Sequence, residues 1–67
     1  MQLADDVRSR RKALRLTQRD LADLSGVSER FIRELEHGKV TVRLDALSAV
    51  LLALGLELRA ELRSTGL

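Results

Sequence analysis

An all-α domain of four short helices, closed by one C-terminal β-strand, is the fold class that this sequence predicts. Apolar residues return at intervals of three and four along residues 2–54, the spacing of helices with one buried face. Gly26, Gly38 and Gly55 stand where those stripes stop, and the chain has no proline. From Leu56 the period drops to two, in LELRAEL, which is the alternation of a half-buried strand.

The first helix is expected over residues 2–15, with Leu3, Val7 and Leu14 on one stripe. Arg11 falls on the same stripe, four after Val7 and three before Leu14, so its guanidinium needs a partner. Thr17 and Asp20 have the spacing of a capping box and open a second helix at 18–25, which buries Leu21, Ala22 and Leu24. Gly26 ends it in the left-handed conformation, and Val27 plugs the turn.

Ser28 caps a third helix at 29–36, where Glu29 suits the positive helix end. Ile32 and Leu35 face its core, and Glu36, four beyond Ile32, leans the same way. Arg11 and Glu36 are therefore expected to form a largely buried pair, the alternative being that both reach out to water.

Gly38 stops the third helix. The fourth, residues 44–54, is the most apolar, with Leu44, Leu47, Val50, Leu51 and Leu54 inward and Gly55 at its end. The strand covers residues 56–62, with Leu56, Leu58, Ala60 and Leu62 on its buried face. It has no partner within the chain, so it is expected to pair with its copy in a homodimer. A frayed helix is the alternative, since Glu, Leu, Arg and Ala all favour helix.

One domain of 67 residues buries only roughly 60% of the surface that its unfolded chain exposes. There is no cysteine, so disulfides and thiolate metal sites are excluded, and His37 offers zinc a single nitrogen. A second subunit is then the expected source of further burial. No apolar run approaches the roughly 18–20 residues of a membrane span, and MQLADDVRSRR holds no signal-peptide core, so a cytoplasmic protein is expected. No Gly-rich phosphate loop, paired-carboxylate cleft or nucleophile with a base is present. The expectation is no catalysis, no cofactor, no metal and no small-molecule substrate, with His37 serving as a helix C-terminal charge.

Net charge is only +2, but between Arg8 and Arg19 lie six basic residues and no acidic one. Ten of the twelve cations are arginine, whose fork suits phosphate and guanine; a plain solvated face is the competing reading. Helix, tight turn and helix, the second opening on polar Ser28-Glu29-Arg30, together describe a helix-turn-helix. The turn lets the second helix stand away from the body and enter a major groove.

The segment LTQRDLADLSGVSERFIRELEHGK, residues 16–39, resembles the core of the Xre/Cro family of helix-turn-helix regulators, which includes lambdoid phage repressors. The resemblance rests on Thr17-Gln18, Leu21-Ala22, Gly26-Val27-Ser28, Ile32, Leu35-Glu36 and Gly38-Lys39. RFIRELEHGK with TVRLDAL and ALGLEL is similar to the HipB-like antitoxin subgroup. The resemblance implies a lambda-repressor-like four-helix domain, the Arg11–Glu36 pair, and a tail strand paired across a dimer. It also implies an antitoxin that represses its own operon and binds a HipA-type kinase toxin. A phage-type or controller repressor without a toxin, or a small helical protein-interaction module, are the alternatives.

Base contacts are expected from Ser28, Glu29, Arg30, Arg33 and Glu34. Arg30 would fork onto guanine O6 and N7, worth roughly 1–3 kcal/mol of discrimination. Glu29 either accepts from cytosine N4 or only complements the helix dipole, and Arg33 either touches DNA, as the resemblance implies, or forms a surface ion pair. Phe31 either completes a core edge or meets a thymine methyl. Phosphate contacts are expected from Arg15, Thr17, Gln18, Arg19, Lys39, Thr41 and Arg43, with simple solvation the alternative for Gln18. A homodimer would then set two recognition helices in successive major grooves of an inverted-repeat operator on double-stranded DNA, roughly 34 Å apart or a multiple of that.

Overall fold

The computed structural model describes residues 2–39 and 41–59, which form four helices in chain order. They are α1 (Gln2–Ala13), α2 (Gln18–Ser25), α3 (Glu29–Glu36) and α4 (Leu44–Ala53). The second helix is central: it packs on both α3 and α4, while α1 lies against α3. Val7, Leu21, Ala22, Ile32, Leu35, Leu47, Val50, Leu51 and Leu54 make one core. Val27, Phe31, Val42 and Leu56 seal its edges. None of the four helices is long and apolar enough to cross a membrane.

All four helices stop in the same way. At the end of α2, Gly26 at φ 73° lets the Val27 N–H reach back to the Ala22 carbonyl at 3.1 Å. After α3, Gly38 at φ 83° lets the Lys39 N–H reach back to the Glu34 carbonyl and its own N–H to that of Leu35. After α4, Gly55 at φ 72° does the same through Leu56 and Leu51. After α1 the left-handed position is held by Arg15, at φ 59°, with Leu16 N–H donating to the Arg11 carbonyl at 3.1 Å. That turn ends α1 two residues before the expected boundary of 15. Leu14 consequently leaves the apolar stripe and is exposed.

Two further expectations of burial are corrected. Leu24 is 63% exposed. At about 100° per residue, Leu21, Ser25 and Ala22 span one arc, and Leu24 falls outside its edge. Leu44 is 64% exposed, while Leu47, Val50, Leu51 and Leu54 are buried as expected. Leu44 instead begins a second stripe of α4, continued by Ser48 and Leu52, which faces outward.

Beyond Gly55, residues 56–59 have no regular structure. Leu56 is half-buried against the core and Leu58 is exposed. Ala60 and Leu62, the other two positions expected on the strand's inner face, lie outside the described residues.

Candidate nucleic-acid interface

The pair expected from the α1 stripe and the end of α3 is present. Arg11 Nε donates to Glu36 Oε2 at 2.6 Å and its Nη2 to Oε1 at 3.0 Å, with both side chains buried. Arg11 Nη1 also donates to the Leu16 carbonyl at 2.9 Å, which braces the turn leading into α2. Burial alone would push the Glu36 carboxyl up, but hydrogen bonds from Arg11 and Gln18 outweigh it and hold the carboxyl below its ordinary value. The Arg11 guanidinium is held above its own ordinary value, chiefly by its bond to Glu36. This buried pair fixes the start of α2 relative to the end of α3.

The start of α2 carries a complete capping box. Thr17 Oγ1 accepts from the Asp20 N–H at 3.0 Å, and Asp20 Oδ2 accepts from the Thr17 N–H at 2.9 Å. Those bonds hold the Asp20 carboxyl below its usual range. The Thr17 hydroxyl oxygen is therefore committed to the cap. The first-turn amides of Gln18 and Arg19 have no intrahelical partner and face outward from a positive helix end.

Gln18, expected either on phosphate or simply solvated, makes a third kind of contact. Its Nε2 donates to Glu36 Oε1 at 3.1 Å. One amide hydrogen is thereby anchored and the other is left free, so the side chain is oriented by the core before any ligand arrives.

Between α2 and α3, Gly26 takes φ 73° and ψ 26°, and Ser28 Oγ accepts from the Phe31 N–H at 3.0 Å to cap α3. The turn is as the sequence reading has it. It leaves Ser28, Glu29 and Arg30 exposed on the first turn of α3. Phe31 is half-buried against the core, in line with its core-edge reading.

Apart from Glu36, the charged side chains of α3 are paired with one another. Arg30 Nε lies 3.4 Å from Glu34 Oε2, and Arg33 Nη1 lies 3.9 Å from Glu29 Oε2, both at helical i,i+4 spacing. Lys39 Nζ donates to Glu34 Oε1 at 3.2 Å. Arg43 forks onto Asp45 at 2.7 and 3.2 Å, beside exposed Thr41. Arg15 and Arg19 are exposed and have no ion pair among the described residues. They are the freest of the expected phosphate contacts.

The basic run of α1 divides three ways. Arg11 is consumed by Glu36. Arg10 turns to the far side, where its Nε donates to the Leu54 carbonyl at 2.8 Å and so caps α4. Arg8, Lys12 and Arg15 remain exposed. The role of Arg10 has no signature in the sequence, because its acceptor is a backbone carbonyl 44 residues away. The Glu34–Lys39 contact was legible in principle: in the glycine-ended turn at Gly38, those two positions are the ones brought back together.

A family model described as Helix-turn-helix matches residues 7–60. The match runs from the buried Val7 of α1 through all of α2, α3 and α4 and into the tail. Comparison with curated proteins finds no match.

Proposed function

The chain belongs to the Xre/Cro-type helix-turn-helix family of DNA-binding transcriptional regulators, and from that premise we propose that it is a repressor acting as a homodimer on an inverted-repeat operator. The observation that carries this reading is the exposed first turn of α3. Ser28, Glu29 and Arg30 are exposed there, and Arg15, Arg19, Lys39, Thr41 and Arg43, on the segments that precede α2 and follow α3 or at the start of α2, are exposed as well. In this reading the flanks hold phosphates and set affinity and its salt dependence, while Arg30 and its neighbours read bases. Bound across a promoter, the dimer blocks transcription on the nucleoid.

The dimer is supported by the outward stripe of α4. Leu44 and Leu52 are 64% and 80% exposed, and Leu58 adds a third large apolar side chain at 56%. An isologous contact through that stripe, extended by pairing of residues 56–62, would bury them. The antitoxin role, with a HipA-type kinase as partner, rests on the likeness of RFIRELEHGK, TVRLDAL and ALGLEL to the HipB-like subgroup. A kinase-like reading frame beside the gene, and co-purification of its product with this chain, would support that role. Purification of a repressor alone, with no such neighbour, favours the phage-type or controller reading.

Selection from random-sequence duplexes, with Arg30→Ala beside the wild type, tests the DNA reading. An enriched inverted repeat, relaxed at one position per half-site by Arg30→Ala, is the expected result. Weak, salt-labile binding with no enrichment would instead favour a protein-interaction module.

A further inference from the structure

We propose that Glu34 is a specificity clamp: in the free protein it occupies Arg30 and Lys39, and it surrenders them to a DNA site that engages Arg30 on a base but not to an arbitrary stretch of phosphates. The inference rests on the DNA-binding reading above and assigns Glu34 a different task from base contact.

The geometry is specific to this residue. One carboxylate oxygen lies 3.4 Å from Arg30 Nε, one turn earlier on α3. The other accepts from Lys39 Nζ at 3.2 Å. Lys39 is brought there by the helix stop at Gly38, where its own N–H donates to the Glu34 carbonyl at 3.1 Å. In such a turn these two positions commonly share an apolar contact, and here they share an ion pair. The Lys39 hydrogen bond, above all, holds the Glu34 carboxyl below its ordinary range, so it is ionised at neutral pH. Glu34 also lines two neighbouring concavities, one with Arg33 and His37 and the other with Phe31, Thr41 and Arg43.

Glu29 provides an internal contrast. It has the same charge on the same helix, but it holds one cation, Arg33, at 3.9 Å. If only net charge mattered, the two acidic residues would be interchangeable. If wiring matters, they are not.

The physical argument concerns what non-specific binding draws on. That binding comes from phosphates neutralised by cations, each contributing a slope of about −0.9 to log K against log salt. Two cations that share one carboxylate bring a net charge of +1 to it rather than +2, and the carboxylate repels the backbone besides. On the correct site Arg30 gains a forked contact with a base, which offsets the loss of Glu34. Glu34 therefore subtracts more from random DNA than from the operator. Since competing random sites are numerous, that ratio governs occupancy.

The test compares wild type, Glu34→Gln and Glu29→Gln on a selected duplex and on a random duplex, titrated across salt. Glu34→Gln should tighten binding to the random duplex about tenfold at low salt, with a slope steeper by about 1. Its gain on the selected duplex should be smaller, so the ratio falls. Glu29→Gln should tighten random binding by about threefold or less, and adding Lys39→Gln to Glu34→Gln should remove most of the gain. Equal effects of the two glutamine variants would overturn the clamp. So would weaker binding of Glu34→Gln to the selected duplex alone, which would make Glu34 a base contact. If wild type enriches no site, the operator reading fails, but the comparison on random duplex still judges the clamp. Wild type that binds no duplex at any salt would refute both.

Discussion

Arg11 and Glu36, 25 residues apart in sequence, meet as a forked, buried ion pair, with donor–acceptor distances of 2.6 and 3.0 Å. The contact joins α1 to the last residue of α3, and Gln18 at the head of α2 donates to the same carboxylate. One acidic side chain thus ties three helices together beside the helix-turn-helix.

Removing one member of the pair strands the other. Arg11→Met should cost roughly 3–5 kcal/mol, a large share of what a domain of this size possesses. The double variant Arg11→Met with Glu36→Leu should recover most of that loss, because no buried charge is left without a partner. Urea denaturation followed by circular dichroism measures both. A double variant as unstable as the single one would show that the pair contributes more than mutual neutralisation.

Acid should unfold the protein through the same carboxylate. Glu36 titrates below its ordinary value of 4.5 in the folded state. A group with a depressed folded pKa stabilises the fold above its unfolded pKa and ceases to do so as pH falls through the folded one. Stability should therefore be level from neutral pH down to about 5 and decline below 4.5. The decline should be shallower in Glu36→Gln, though not absent, because Asp20, Glu34 and Asp45 are depressed as well. Thermal melts from pH 7 to 3 would reveal it.

Arg15 holds a backbone conformation that glycine adopts more readily, with φ at 59°. Arg15→Gly relieves that strain but frees the unfolded chain, for a net gain of up to about 1 kcal/mol. The same change removes an exposed cation next to the head of α2, and DNA binding should weaken on all sequences alike, with a salt slope reduced by about 1. Unchanged DNA affinity would remove Arg15 from the phosphate contacts.

Leu52→Asp and Leu58→Asp test the dimer from two directions. Each places a charge on a surface expected to be covered in the homodimer, one on α4 and one in the tail. Sedimentation should show monomers, and operator affinity should fall by about tenfold or more as the second half-site is lost. A Leu58→Asp protein that remains a tight dimer would separate the tail from the interface. The same result for Leu52→Asp would remove α4 from it.

The helices were legible because their stops are local. Thr17 with Asp20, Ser28, Gly26, Gly38 and Gly55 act within four or five residues of themselves, and each behaves as its spacing implies. The Arg11–Glu36 pair was legible for a related reason: an ionic residue on an apolar stripe has few places to go. Leu14, Leu24 and Leu44 were misjudged because a stripe gives a direction, while burial needs an element opposite. At Arg15 the turn carried Leu14 away, α2 rolled Leu24 past its edge, and nothing among the described residues covers Leu44.

What the sequence determined by itself is therefore the set of helices, their caps and the helix-turn-helix that presents Ser28, Glu29 and Arg30. What only the tertiary structure decided is the use of the charges. Arg10, Arg11 and Arg15 look alike in the sequence, yet one caps α4 through Leu54, one neutralises Glu36 and one has no ion pair among the described residues. Neighbouring side chains on a helix diverge by about 100°, so each meets a different part of the fold. Their partners lie 25 and 44 residues away. Only packing brings such groups within the few ångströms over which a hydrogen bond acts.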